Sequence, residues 1–215
     1  KMDADANRAR FLRYGLKDFT DTEAVELMLA LQIDARDYSS HAKRLLSEHG
    51  TLSAIIDSTN GYNYYDDGQG FGLRLSYELG YRYLRDKLEN RPIMNDSRTV
   101  VEYLGYSMRG LDREHLRVIY LNGRNSLIGE ETLSAGTVNQ ATVYPREVVR
   151  SALAKNAVSL IIAHNHVSGN PKPSADDVKI TCRLKDSCDL VGISVLDHII
   201  IGGDQHYSFA KEGLM

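Results

Sequence analysis

The second half of the chain switches repeatedly between a period of two and a helical period, and each switch marks an element. Residues 115–121, His-Leu-Arg-Val-Ile-Tyr-Leu, read as a β-strand, and Asn122-Gly123 is the strongest short hairpin signal, returning along 126–133. Pro145 suits the first position of a helix over 145–155 that turns Val148, Val149, Ala152 and Leu153 inward. Residues 158–163 are apolar on both faces, the pattern of a buried central strand. After a turn-rich loop, 174–191 reads as a helix ended by Gly192, with Thr181, Leu184, Cys188 and Val191 on one stripe. Residues 194–201 form another buried strand, Gly202-Gly203-Asp204 a turn, and 205–209 a last short strand. With a helix opened by Ser97 ahead of them, these elements predict a mixed α/β (α+β) domain, helices packed on a mixed sheet. The pattern alone does not fix the strand order.

Upstream, the period is helical. Residues 1–18 read as a short helix with a modest, solvated basic face, and Thr20-Asp21-Thr22-Glu23 caps a helix over 24–31. A third helix spans 39–49, with Ala42, Leu45 and Leu46 as its stripe and Gly50 as its stop, and a fourth begins at 52–56. Residues 60–72 break the pattern with glycines, tyrosines and aspartates, before a helix over 73–88 bearing Leu75, Leu79, Tyr83 and Leu84. The expected organisation is a small all-α domain over 1–90, a polar linker at 91–97 holding Pro92, and the mixed domain over 98–215.

Composition narrows the function. Hydrophobic residues at 42% and charged residues at 26% are ordinary for a globular protein. No apolar run approaches a membrane span and no signal peptide is readable. The two cysteines, Cys182 and Cys188, fall on one predicted helix about 9 Å apart along its axis, too far to pair. That points to a reduced, cytoplasmic protein. A net charge of −3 gives no general affinity for nucleic acid, and acidic side chains outnumber basic ones within residues 1–90.

The candidate chemistry lies at 163–177. The strand over 158–163 delivers His164 and His166 to the same side of an extended backbone, and the loop returns Asp177 as a third ligand. Three protein ligands with a fourth position open to water is the arrangement of catalytic zinc. The same residues also read as a capping box, Ser174 with an acid three residues later, and as hydrogen-bonded histidines at a strand end. The longer string, His-x-His, seven residues, Ser, two residues, Asp, is the more restrictive and favours metal; cap and metal roles are compatible. Asn165 points away from the histidines and reads as a loop brace. Asp197 and His198 read as supports for a ligand or for the strand. Other metal motifs fail on spacing. Residue 168 is serine where a metallo-β-lactamase needs aspartate, the His-x-Glu and Cys-x-x-Cys of a zinc deaminase are missing, and no ββα hairpin surrounds His-Asn-His.

His164-x-His166-x7-Ser174-x2-Asp177 resembles the JAMM motif of the JAB/MPN-plus metalloproteases. The context His-Asn-His-x-Ser-Gly-Asn-Pro-x-Pro-Ser-x-x-Asp, with Val195-Leu196-Asp197-His198-Ile199-Ile200 downstream, is similar to the bacterial RadC-like branch. The resemblance is strong over 97–215 and weak over 1–90. One departure is Val167, where the branch usually has proline, which touches loop rigidity and no ligand. The resemblance implies an MPN fold similar in architecture to cytidine deaminases, a Zn2+ ion, and hydrolysis of a peptide, isopeptide or related amide bond in a protein or peptide substrate. It implies Glu114, just ahead of the first strand, as general base, with Glu130, Glu131 and Glu147 as other candidates, and Ser174 as donor to the oxyanion. Alternatives are a DNA-repair-associated binding protein, as the branch's historical name suggests, and a metal-bearing scaffold without turnover. For DNA, Gly70-Phe71-Gly72 resembles the glycine turn of a helix-hairpin-helix, but Asp66 and Asp67 ahead of it would repel phosphate. No membrane partner is expected, and the oligomeric state is open.

Overall fold

Eight helices and five strands lie among the residues that the computed structural model describes, which are 4–16, 19–30, 38–58, 71–90, 92–93, 97–135 and 143–215. The chain divides into two units, Lys1–Gly80 and Tyr81–Met215. None of the described helices is long and apolar enough to cross a membrane.

The first unit is helical, with α1 (Ala4–Tyr14), α2 (Asp21–Ala30), α3 (Tyr38–His49), α4 (Leu52–Ser58) and the start of α5 (Phe71–Asn90), which runs on into the second. Its core is Val25, Leu29, Ala42, Leu45, Ile55 and Leu73. A capping box opens α2: the Glu23 carboxylate accepts from the Thr20 amide at 2.8 Å, and the Glu23 amide donates to the Thr20 hydroxyl at 3.3 Å. Gly50, at φ +83°, ends α3 as expected. The basic face of α1 is only partly solvated, because Arg10 pairs with Glu23 at 2.8 Å and lies over the Phe19 ring. Most of the glycine-rich run at 60–72, including Asp66, Asp67 and Gly70, lies outside the described residues. Phe71 and Gly72 belong to the first turn of α5, ahead of its expected start.

The second unit continues with α6 (Ser97–Met108), β1 (His115–Leu121), β2 (Leu127–Ala135), α7 (Pro145–Ala154), β3 (Ser159–Asn165), α8 (Ala175–Asp189), β4 (Ser194–Gly202) and β5 (Gln205–Ser208). The strand order is β2-β1-β3-β4-β5; β3 and β4 are parallel and the other neighbours antiparallel. Strand side chains alternate between faces, so β1 and β3 each build two cores. Leu116, Val118, Tyr120, Leu160 and Ile162 pack with Val148 and Ala152 of α7 and Ile180, Leu184 and Cys188 of α8. Ile119, Leu121, Ile161 and Ala163 pack on the other face with Val100, Tyr103, Leu104 and Met108 of α6. The result is a mixed α/β layer structure with helices on both faces. Of the expected linker, residues 91 and 94–96 lie outside the described residues, and Ile93 is buried in the α6 core.

The β1–β2 hairpin forms as expected, the inward placement of Leu153 and Val191 is corrected, and β4 departs from regular alternation. In the β1–β2 hairpin the left-handed residue is Asn125, φ 56°, because the Asn122 side chain accepts from the amides of Arg124 and Ser126 and shapes a longer turn than Asn-Gly alone would give. Leu153 and Val191 are exposed. The buried stripe of α7 is Val148, Ser151 and Ala152, which puts Leu153 a further 100° round the helix, and α8 ends before Val191. Finally, β4 carries a bulge: Leu160 pairs with Val195 but Ile161 pairs with Asp197, so the faces of the strand exchange beyond Leu196.

Gly202 closes β4 against the loop that follows β3. A Cβ there would lie 2.5 Å from the Pro171 nitrogen and 2.8 Å from the Asn170 carbonyl carbon, both backbone atoms. Gly202→Ala should therefore displace that loop and cost about 1–3 kcal/mol of unfolding free energy, measured by denaturant titration. In the first unit, the Thr20 amide and then the Arg10 side chain hold the Glu23 carboxyl down to about 2 from its ordinary 4.5. A depressed carboxyl stabilises the fold above its unfolded value and loses that contribution as pH falls through the folded one. The melting-temperature difference between wild type and Glu23→Gln should thus be full at pH 6 and shrink steadily from about pH 4.5 to pH 2.

Candidate metal centre

Strand parity aims the histidines. Leu160 and Ile162 face α7 and α8, so His164, two residues further on, faces the same way, and His166 follows just beyond the strand. The His166 amide donates to the Ile201 carbonyl at 2.8 Å, which continues the β3–β4 ladder through the turn. Its ring nitrogen Nδ1 lies 2.7 Å from the Asn170 carbonyl. A carbonyl only accepts, so Nδ1 carries a proton, and in the neutral ring Nε2 is bare. The turn is closed by the Gly169 amide on the His166 carbonyl, with Val167 exposed at its second position, where proline is favoured. Val167 thus bears on the stiffness of the turn.

Helix α8 supplies the third group. Ser174 is its N-cap: its Oγ accepts from the Asp177 amide at 3.2 Å, while Asp177 Oδ2 accepts from the Ser174 amide at 2.7 Å and from its hydroxyl at 2.6 Å. The capping box is therefore present, and the same carboxylate faces the histidines. His164 Nε2 lies 2.9 Å from His166 Nε2 and 3.2 Å from Asp177 Oδ1, and His166 Nε2 lies 3.5 Å from Asp177 Oδ2. A tetrahedral ion with arms of about 2.0–2.1 Å sets its ligands roughly 3.3 Å apart, so separations of this size suit such an ion and the cluster could hold one. Burial opposes ionisation of Asp177, but hydrogen bonds from His164 and His166, when their Nε2 atoms are protonated, and from Ser174 outweigh it and hold the carboxyl well below the carboxylate range. His166 is pushed up, first by its hydrogen bond to Asp177 and also by the charge of Glu114, against the effect of burial.

Glu114 sits just ahead of β1. The β1–β3 register pairs Leu116 with His164, and two more antiparallel steps set Glu114 opposite His166, in keeping with its electrostatic effect there. Asn165 braces this segment from the other face of β3. Its buried amide accepts from the His115 N–H at 2.8 Å and donates to the Arg113 carbonyl at 2.9 Å, gripping the backbone on both sides of Glu114. The other candidate carboxylates are engaged elsewhere. Glu130 accepts from Tyr81 and Tyr103, Glu131 accepts from Ser151 with Lys155 at 3.4 Å, and Glu147 pairs with Arg150 at 2.6 Å.

The sequence pattern does not separate Asp197 from His198, and the β4 bulge does. Asp197 accepts from the Ser208 hydroxyl at 2.6 Å and the Ala210 amide at 3.0 Å, securing the end of the chain. His198 turns to the α8 side, fully buried, with Phe209 stacked on its ring at 4.9 Å. Its Nε2 lies 2.8 Å from His164 Nδ1 and its Nδ1 lies 2.5 Å from Thr181 Oγ1. Burial pushes its pKa well down. The sequence marks Thr181 only as part of a packing stripe; the sole clue to more is its place one turn after Asp177.

A family model for the RadC-like JAB domain matches residues 94–214. The chain is 38% identical over 212 residues to a UPF0758 protein of Pseudoalteromonas translucida, covering 97% of this chain and 95% of that one. A UPF0758 protein of Paraburkholderia phytofirmans is 39% identical over 215 residues, covering 97% and 82%. One from Desulfitobacterium hafniense is 32% identical over 212 residues, covering 97% and 93%. Domain match, near full-length relatives and the mixed sheet agree: the chain belongs to the RadC-like JAB domain family.

Proposed function

We propose that the protein is a zinc-dependent hydrolase of the JAMM type, cleaving a peptide, isopeptide or related amide bond in a protein or peptide substrate. The observation that carries this reading is the convergence of His164, His166 and Asp177, whose ring nitrogens and carboxylate oxygens approach to 2.9–3.5 Å, within the field of Glu114. Two imidazoles and one carboxylate suit zinc, and three ligands leave one position open. Bound there, zinc would supply a water acidified toward neutrality and a Lewis acid for the scissile carbonyl.

The chain's own residues account for the proton traffic. Glu114 takes the proton of the attacking water and hands it to the nitrogen of the breaking C–N bond, giving a carboxylate and an amine. The Asn165 grip holds the backbone on either side of that base. Ser174 donates to the oxyanion. Its proton rests on Asp177 Oδ2, and rotation about one bond re-aims it while Oγ continues to accept from the Asp177 amide.

Metal analysis by inductively coupled plasma mass spectrometry should find about one zinc per chain in the wild type and none in His166→Ala. No metal in either, even after incubation with zinc, would leave two strand-end histidines and end the hydrolase reading. Glu114→Gln should keep its zinc and lose about 10²-fold or more of its activity against amide and isopeptide substrates. Lost zinc or unchanged activity in that variant would remove Glu114 from its role.

A further inference from the structure

We infer that Thr181 and His198 form a hydrogen-bond relay that fixes the tautomer of His164 and so keeps its Nε2 available to a metal ion. The inference rests on the zinc reading above, and it begins at the far end of the chain of contacts. Thr181 Oγ1 lies 2.5 Å from the Asp177 carbonyl oxygen. That carbonyl can only accept, so the single hydroxyl proton points to it. The hydroxyl oxygen must then accept at its second contact, His198 Nδ1 at 2.5 Å. A neutral imidazole has one N–H, so His198 presents a bare Nε2 to His164, 2.8 Å away. His164 in turn donates from Nδ1, and in the neutral ring the lone pair of its Nε2 faces Asp177 and His166.

The relay is built into one turn of one helix. Asp177 supplies the carboxylate that faces the histidines, and its backbone carbonyl, read by the side chain four residues later, determines which nitrogen of His164 is bare. Thr181 is 1% exposed and His198 0%, so bulk solvent does not reach either as an alternative partner. Both are positioning residues and neither touches the candidate ligand atom. Without the hydroxyl, His198 is free to carry its proton on Nε2. That proton would compete with the one on His164 Nδ1 and favour the His164 tautomer whose metal-facing nitrogen is blocked.

The test uses the whole chain as wild type, Thr181→Ser and Thr181→Val. Zinc affinity is measured by chelator competition, and the His198 proton is located by two-bond proton–nitrogen NMR correlations in wild type. The expected result is an Nδ1 proton on His198, wild-type affinity in Thr181→Ser, and affinity about 10–100-fold weaker in Thr181→Val at unchanged capacity. A proton on His198 Nε2, equal affinity in Thr181→Val, or equal losses in both variants would overturn the relay. Should Thr181→Val not fold, the wild-type proton position decides alone. Wild type that binds no zinc would end the metal reading, while the His198 proton would still report whether the relay runs as described.

Discussion

A carboxylate as deeply buried as Asp177 must be held by donors, and that requirement organises the end of the sheet. Left unpaired, such a charge would cost several kcal/mol, or protonate. Here the amide and hydroxyl of Ser174 hold one oxygen, while His164 and His166 face the carboxylate from β3. The first pair of donors belongs to the helix cap. The two imidazoles stand where they share protons with the carboxylate, and with those protons gone their bare nitrogens and the carboxylate converge on a cation instead. The capping box and the metal site are thus one device: the cap sets the carboxylate, and the carboxylate is ready for either partner.

The topology explains why this device sits where it does. Among the described strands, β3 and β4 are the only parallel neighbours, and a parallel pair requires a crossover, which α8 provides. The loop from the carboxyl end of β3 must therefore deliver the N-terminus of α8 to that end of the strand. A helix N-terminus carries positive potential and unpaired amides, which suit an acidic side chain in the first turn. Gly202 lets the loop lie directly on the neighbouring strand, and the Asn170 carbonyl fixed there orients His166. Sheet order, crossover, glycine and histidine ring are successive consequences of one parallel pairing.

Much of this is legible in the sequence because it is local. The period of two in β3 and the Ser-x-x-Asp cap are properties of short windows, so the convergence of His164, His166 and Asp177 follows from the pattern of residues alone. The role of His198 does not. A strand with regular alternation from Val195 would turn it away from α8, and only the bulge between Val195 and Asp197 brings it round. Bulges leave no mark on hydrophobic period when both faces are apolar, as in 194–201. Thr181 is hidden for a related reason: on a buried stripe a threonine reads as packing, and its hydroxyl acquires meaning only from the histidine set opposite it. Leu153 and Val191 mislead because an apolar residue beside a stripe looks like part of it.

The end of β3 also separates two tasks by parity. His164 and His166 point to the α8 face and face Asp177; Asn165, between them, points to the other and grips the peptides flanking Glu114. A side chain on the histidine face could not reach the start of β1 from behind, and one on the Asn165 face could not meet α8. Three consecutive residues therefore fix two of the candidate metal ligands and the candidate base relative to each other through a single extended backbone. A one-residue slip would exchange the faces and lose both sets of contacts together. That coupling is a physical reason for this site to lie on the central strand, where pairing on both edges holds the register.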